Sequence, residues 1–152
     1  MRKRALLIGC QTGALRGVHA DVELMAALLG SFGFEVTTLI EAQATSDGIR
    51  NGYRGLIEDT AGGDAALVYY SGHGARFKNP AQHPSEPRWV QYLCPTDMDG
   101  GREGAFRGLL AEELSQLQWA LTEKTDNVTT ILDCCHSARM SRDPAALPKA
   151  RE

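Results

Sequence analysis

Short apolar runs alternate with stretches of helical periodicity along most of the chain. Four runs have the composition of buried strands: Ala5–Ile8, Phe34–Ile40, Ala65–Tyr70 and Val128–Leu132. Three segments have apolar residues at helical spacing: His19–Phe32, Ser46–Asp59 and Leu109–Leu121. This alternation predicts an α/β fold in which helices flank a mostly parallel sheet. Residues 76–88 contain three of the six prolines and are predicted to be a loop, followed by a short strand at Trp89–Leu93.

Length and charge limit the kinds of protein that this chain can be. The 152 residues suit one domain, and a net charge of −3 argues against a nucleic-acid-binding surface. No apolar run approaches the roughly 18 residues needed to cross a membrane. The apolar stretch after Arg4 has six residues, fewer than the roughly 7–15 of a secretory signal. We therefore expect a cytoplasmic protein with free thiols.

Two polar segments follow the third and fourth predicted strands. Ser71-Gly72-His73-Gly74 comes after the third strand, and Asp133-Cys134-Cys135-His136-Ser137 comes after the fourth. In parallel sheets, the carboxyl ends of the strands lie at one edge, where ligands bind. If these strands are neighbours, His73 and a cysteine meet there. Such a pair predicts acyl transfer, because a histidine lowers the pKa of a thiol and transfers its proton.

These two segments resemble the motifs of a known family. Tyr69-Tyr70-Ser71-Gly72-His73-Gly74 resembles the histidine motif of metacaspases and bacterial caspase-like proteases of the orthocaspase type. Leu132–Ser137 is similar to their cysteine motif, and Ala5–Gly9 to their first strand. The resemblance implies the caspase-hemoglobinase fold and a cysteine endopeptidase. It also implies that the setting is programmed cell death or defence.

The resemblance assigns roles to individual residues. Cys135 corresponds to the nucleophile and His73 to the general acid–base, while Gly74 and Cys135 would supply N–H groups for the oxyanion. Cys134 stands where the family more often has serine, so two adjacent thiols compete for the nucleophile's role. Cys135 is preferred because it directly precedes His-Ser.

The resemblance also implies a substrate preference. Asp21, Ser71 and Asp133 match the positions of an acidic pocket that selects arginine or lysine before the scissile bond. A buried pair of carboxylates would favour such a cation. Many metacaspases bind calcium after the histidine motif, but Glu86 is the only acid in residues 75–91. We therefore predict no metal site and no cofactor, with Asp97 and Asp99 as the remaining oxygen donors nearby.

The predicted domain lacks part of the family's sheet. Residues 1–137 are expected to form the large-subunit portion of the catalytic domain, and residues 138–152 a flexible tail or intersubunit linker. Four strands are predicted where the family has six, so a small subunit or a C-terminal remainder would complete the sheet. The alternative is a catalytically idle caspase-like scaffold that serves as an interaction module.

Overall fold

The computed structural model describes residues 1–80, 86–98 and 106–135. Its strands are β1 (Lys3–Cys10), β2 (Glu35–Ile40), β3 (Ala65–Gly72), β4 (Gly74–Lys78), β5 (Trp89–Leu93), β6 (Leu109–Leu110) and β7 (Asn127–Asp133). Its α-helices are α1 (Val18–Ser31), α2 (Ser46–Asp59) and α3 (Ala111–Thr122). The four predicted strands and three predicted helices are therefore all present.

The centre of the fold is a parallel sheet with the strand order β2-β1-β3-β7. Every residue of β3 is buried, as expected for a central strand that is covered on both faces. Alternate residues of β1 and β3 point to opposite sides, and each side has its own apolar cluster. Helices α2 and α3 cover one face, which we call the two-helix face. Helix α1 covers the other, which we call the α1 face.

Helix α1 ends where the sequence predicts. The N–H of Phe34 donates to the carbonyl of Leu29, and the N–H of Gly33 donates to the carbonyl of Gly30. This pair of bonds requires a left-handed residue after the helix, and Gly33 has a φ of 79°. The sequence Gly33-Phe34 thus turns the chain directly into β2.

A second, antiparallel sheet was not predicted. Strand β4 pairs with β5, which in turn pairs with β6. The prediction of a loop over residues 76–88 is therefore wrong for Arg76–Lys78, and Leu109–Leu110 is a strand rather than the first turn of a helix. Ala75 and Phe77 do alternate with charged residues, but the segment is short and prolines follow it.

Asp64 joins three strands at the amino-terminal edge of the parallel sheet. Its carboxylate accepts hydrogen bonds from the N–H of Arg2 (2.7 Å) and the N–H of Ala61 (3.2 Å). The guanidinium of Arg4 binds the same carboxylate at 3.2 Å, and the Thr125 hydroxyl donates to the Asp64 carbonyl at 2.6 Å. Asp64 therefore fixes the starts of β1 and β3 and the turn before β7.

These contacts predict a stability that depends on pH. The N–H of Arg2, then that of Ala61 and the Arg4 guanidinium, lower the pKa of Asp64 below its usual value. A lowered pKa stabilises the folded state above the unfolded-state pKa, and this stabilisation is lost as the pH falls through the folded-state pKa. We expect Asp64→Asn to destabilise the protein at pH 7, and the difference from the wild type to shrink towards pH 3.

Urea unfolding at both pH values measures this difference. Glu58→Gln, which removes an exposed carboxylate of α2, is the matched control and should change little at either pH. A destabilisation by Asp64→Asn that is equal at pH 7 and pH 3 would contradict the assigned role of the charge.

Candidate active site

The register of β3 and β7 brings the two predicted catalytic residues to one edge of the sheet. Ser71 is the partner of Asp133 across the two parallel strands. His73 and Cys135 each lie two residues beyond this pair, and both are exposed. The predicted meeting of the two polar segments at the carboxyl end of the sheet is therefore present in the structure.

Gly74 lies directly against the cysteine segment. A Cβ atom at this position would collide with the carbonyl oxygen of Cys135 and would lie 3.1 Å from the Sγ of Cys134. Only glycine therefore allows the backbone after His73 to approach the backbone of Cys135 this closely. The two residues that were predicted to supply oxyanion N–H groups are thus in contact through their backbones.

The two adjacent thiols, just beyond the end of β7, lie in different environments. Cys134 is half-buried and packs against the apolar cluster of the two-helix face, whereas Cys135 is exposed. Burial raises the pKa of Cys134 to about 11, and the nearby charges of Cys135 and Asp133 add to this effect. Because the thiolate is the nucleophilic form, this environment disfavours Cys134.

The other two cysteines are further from the solvent-exposed edge. Cys10 is fully buried, and burial raises the pKa of its thiol to about 12. Cys94 is half-buried. Burial therefore makes Cys10 a core thiol, and Cys94 is partly shielded from solvent.

The three predicted pocket residues lie around the phenol of Tyr69. Burial raises the pKa of Tyr69, a hydrogen bond with Ser71 lowers it, and the negative charges of Asp133 and Asp21 raise it further. Ser71 and Asp133 are also register partners. Asp21 lies in the first turn of α1, where an acid also favours the helix dipole. The structure therefore brings all three residues to the α1 face.

The expectation of a buried carboxylate pair is wrong for the described chain. Ser71 is buried, with 3% of its surface exposed, but the side chains of Asp21 and Asp133 are exposed. The reason is their position: one is on the first turn of a surface helix, and the other ends the outermost strand of the sheet. Ser71 is therefore the buried member of this group, and Asp21 and Asp133 are its exposed members.

The acids considered as calcium ligands have other contacts. Glu86 accepts a hydrogen bond from the Asn79 amide at 3.1 Å. Asp97 accepts from the N–H of Ser46 at 2.9 Å and forms an ion pair with Arg107 at 3.3 Å. Within residues 1–80, 86–98 and 106–135, no group of three potential metal ligands occurs. Asp99 lies outside the described residues, and the absence of a cofactor stays a prediction.

Two contacts at the site were not predicted from the sequence. The Tyr70 hydroxyl donates to the carbonyl of His73 at 2.8 Å, and the N–H of Cys94 donates to the same carbonyl at 3.0 Å. In the sequence, Tyr70 stands out only as part of the histidine motif, and Cys94 belongs to no motif. Tertiary packing brings both donors to the carbonyl of His73, and no local pattern in the sequence predicts this packing.

A cavity elsewhere in the structure is unrelated to this chemistry. It lies near the amino-terminal ends of β1 and β2, next to α2, and Arg4, Glu35 and Asp59 are among the residues that line it. Catalytic groups in parallel sheets gather at the opposite edge. No α-helix in the described part of the chain is both long and apolar enough to cross a membrane.

A parallel sheet with a histidine and a cysteine at neighbouring strand ends defines a caspase-like architecture. A family model described as the caspase domain matches residues 2–151, so the chain belongs to the caspase-domain peptidase family. The crystal structure of a Geobacter sulfurreducens protein has a TM-score of 0.69 at 24% identity, covering 90% of this chain and 51% of that one. The predicted caspase-like fold is confirmed.

The sequence is also similar to metacaspases. Metacaspase-4 of Arabidopsis thaliana is 30% identical over 150 residues, which is 90% of this chain and 34% of that protein. Metacaspase-5 of Trypanosoma cruzi is 30% identical over 160 residues, which is 95% of this chain and 35% of that protein. The resemblance seen in the motifs is confirmed. The chain spans about a third of the length of these two relatives.

Proposed function

We propose that this chain carries the catalytic residues of a cysteine endopeptidase that cleaves peptide bonds after arginine or lysine. Membership of the caspase-domain family supports the reaction class. The observation that carries the proposal is the pairing of Ser71 with Asp133, because His73 and Cys135 each follow this pair by two residues at the ends of neighbouring strands. Cys135 is the nucleophile and His73 the general acid–base.

The reaction begins with proton transfer from the Cys135 thiol to the imidazole of His73. The thiolate sulfur then attacks the carbonyl carbon of the scissile bond, and the carbonyl π electrons move to the oxygen. The N–H groups of Gly74 and Cys135 stabilise this oxyanion. The backbone of Gly74 lies against the carbonyl of Cys135, which supports the assignment because the two donors must belong to neighbouring segments.

The tetrahedral intermediate collapses as the carbon–nitrogen bond breaks. His73 gives its proton to the departing amine, which leaves a thioester on Cys135. His73 then removes a proton from water, and the resulting hydroxide attacks the thioester. The carbon–sulfur bond breaks, the acid product leaves, and the protonated His73 returns its proton to the thiolate, which restores the thiol of Cys135.

Asp21, Ser71 and Asp133 select the basic side chain before the scissile bond. The two carboxylates provide charge, and the hydroxyl of Ser71 provides a polar floor. An arginine guanidinium can donate to both acids at once, whereas a lysine ammonium is a smaller point charge. Arginine is therefore the preferred residue.

We further propose that a small subunit or a C-terminal remainder completes the sheet beside β7. In the described ranges, β7 pairs only with β3. The side chains of β7 that point to the α1 face are exposed, and Ile131 among them is 38% exposed. Trp119 of α3 is 54% exposed. An open strand edge with apolar side chains favours pairing with another strand.

Cysteine variants test the choice of nucleophile. Cys135→Ala should reduce turnover of an arginine reporter peptide by about 10⁴-fold or more, because the nucleophile is lost. Cys134→Ser is the matched control and should retain turnover within about threefold, because the change is nearly isosteric. The wild type should cleave reporters in the order arginine, lysine, aspartate. Loss of activity in Cys134→Ser alone would reverse the assignment of the two thiols.

A catalytically idle scaffold predicts a different result. In that case the wild type turns over none of the three reporters, even when the proposed partner is present. Faster cleavage after aspartate than after arginine would instead contradict the acidic pocket, while leaving the peptidase class intact.

A single carboxylate substitution tests the pocket. Asp133→Asn should lower kcat/KM for arginine reporters by about 10- to 100-fold, since a charge-assisted hydrogen bond is lost. Asp126→Asn, at the opposite end of β7, is the matched control and should leave kcat/KM unchanged. Equal kcat/KM values for Asp133→Asn and the wild type would exclude Asp133 from the pocket.

The need for a completing partner is tested by measuring native mass and activity together. Light scattering of the active preparation should give a mass above the 16.5 kDa of this chain. Activity in the fraction that contains only the 16.5 kDa monomer would refute the partner.

A further inference from the structure

We propose that Tyr70 is a positioning residue for His73, acting through the main chain rather than through the imidazole. Its buried hydroxyl holds the carbonyl of His73 and so fixes the direction in which the side chain leaves the backbone. This inference rests on the proposed role of His73 as the general acid–base.

The segment around His73 needs such a restraint because of its sequence. Gly72 and Gly74 flank the histidine, and glycine has more backbone freedom than any other residue. Strand β3 ends at Gly72 and β4 begins at Gly74, so His73 lies outside both ladders. A histidine between two glycines would sample many orientations unless other groups held it.

Two donors converge on the His73 carbonyl from different parts of the fold. The Tyr70 hydroxyl is 2.8 Å from the carbonyl oxygen, and the N–H of Cys94 is 3.0 Å from it. The Tyr70 hydroxyl also lies 3.3 Å from the carbonyl of Cys94. The phenol has a single proton, which it donates to the nearer acceptor, the carbonyl of His73. The contact with the carbonyl of Cys94 keeps the hydroxyl between the His73 and Cys94 segments.

The environment of Tyr70 keeps this donor in place. The side chain is fully buried, and it belongs to the apolar cluster of the two-helix face. Burial raises the pKa of Tyr70 far above its usual value, so the phenol stays protonated at every pH at which the enzyme would work. A protonated phenol keeps the proton that it donates to the carbonyl.

Gly72 allows the backbone to fold over the phenol. A Cβ atom at this position would lie 2.8 Å from the Tyr70 hydroxyl oxygen and 2.9 Å from the carbonyl oxygen of Cys10. Contacts this short exclude any side chain. Within Tyr70-Ser71-Gly72-His73, the tyrosine hydroxyl therefore binds the carbonyl three residues later, and the glycine leaves room for this contact.

The test compares Tyr70→Phe with Tyr53→Phe. Both changes remove one hydroxyl from a buried tyrosine of the same cluster, but Tyr53 lies on α2, next to Gln118. In Tyr70→Phe the His73 carbonyl keeps the N–H of Cys94 as a partner, so the protein should still fold. We expect kcat on an arginine reporter to fall about tenfold or more with KM unchanged, because misplaced catalytic groups lower kcat. Tyr53→Phe should stay within about twofold of the wild type.

Alkylation of Cys135 by iodoacetamide gives a second readout that needs no peptidase activity. Mass spectrometry measures the alkylation rate of Cys135 at a series of pH values. His73→Ala gives the profile expected when the imidazole is absent. The pH profile of Tyr70→Phe should move towards that of His73→Ala, whereas the profile of Tyr53→Phe should match the wild type. A profile of Tyr70→Phe that superimposes on the wild type would overturn the inference.

The two readouts separate this inference from the proposed function. If the wild type cleaves no reporter but the alkylation profile of Tyr70→Phe still shifts, the peptidase proposal fails and the positioning role stands. If the wild type is active and Tyr70→Phe equals it in both kcat and alkylation, the positioning role fails and the peptidase proposal stands.

Discussion

The pairing of β3 with β1 and β7 is the interaction on which the rest of the structure depends. Strand β3 is buried along its whole length and carries side chains into both apolar clusters. Removing one leucine side chain from water contributes about 1.5–3 kcal/mol, so a register fixed by so many buried residues resists slippage. That register sets where His73 lies relative to Cys135.

Much of this arrangement could be predicted from the sequence. The apolar runs located all four strands of the parallel sheet, and the polar segments after two of them predicted the shared edge. Strand β4 was missed because its alternation is short and is followed by prolines. The carbonyl contacts of Tyr70 and Cys94 were missed for another reason: a buried hydroxyl and a backbone N–H leave no periodic signal, and only the folded chain brings them together.

Burial separates the two adjacent thiols beyond the end of β7. Cys134 packs against the two-helix face, where burial raises its pKa, while Cys135 is exposed. Within the strands, the twofold alternation places Tyr69, Ser71 and Asp133 on the α1 face, away from Tyr70. The α1 face of these strand ends therefore carries the polar side chains, and the opposite face carries the phenol that binds the His73 carbonyl.

Asp64 and His73 lie at opposite ends of β3, roughly 30 Å apart at about 3.3 Å per strand residue. The network around Asp64 joins the starts of the strands. At the other end, the Tyr70 hydroxyl binds only the short segment between β3 and β4 that contains His73. Substitutions that retune the exposed acids near Cys135 therefore leave the network that secures the strands intact. A lineage that carries this domain can therefore vary the exposed residues at that edge while it inherits the same scaffold.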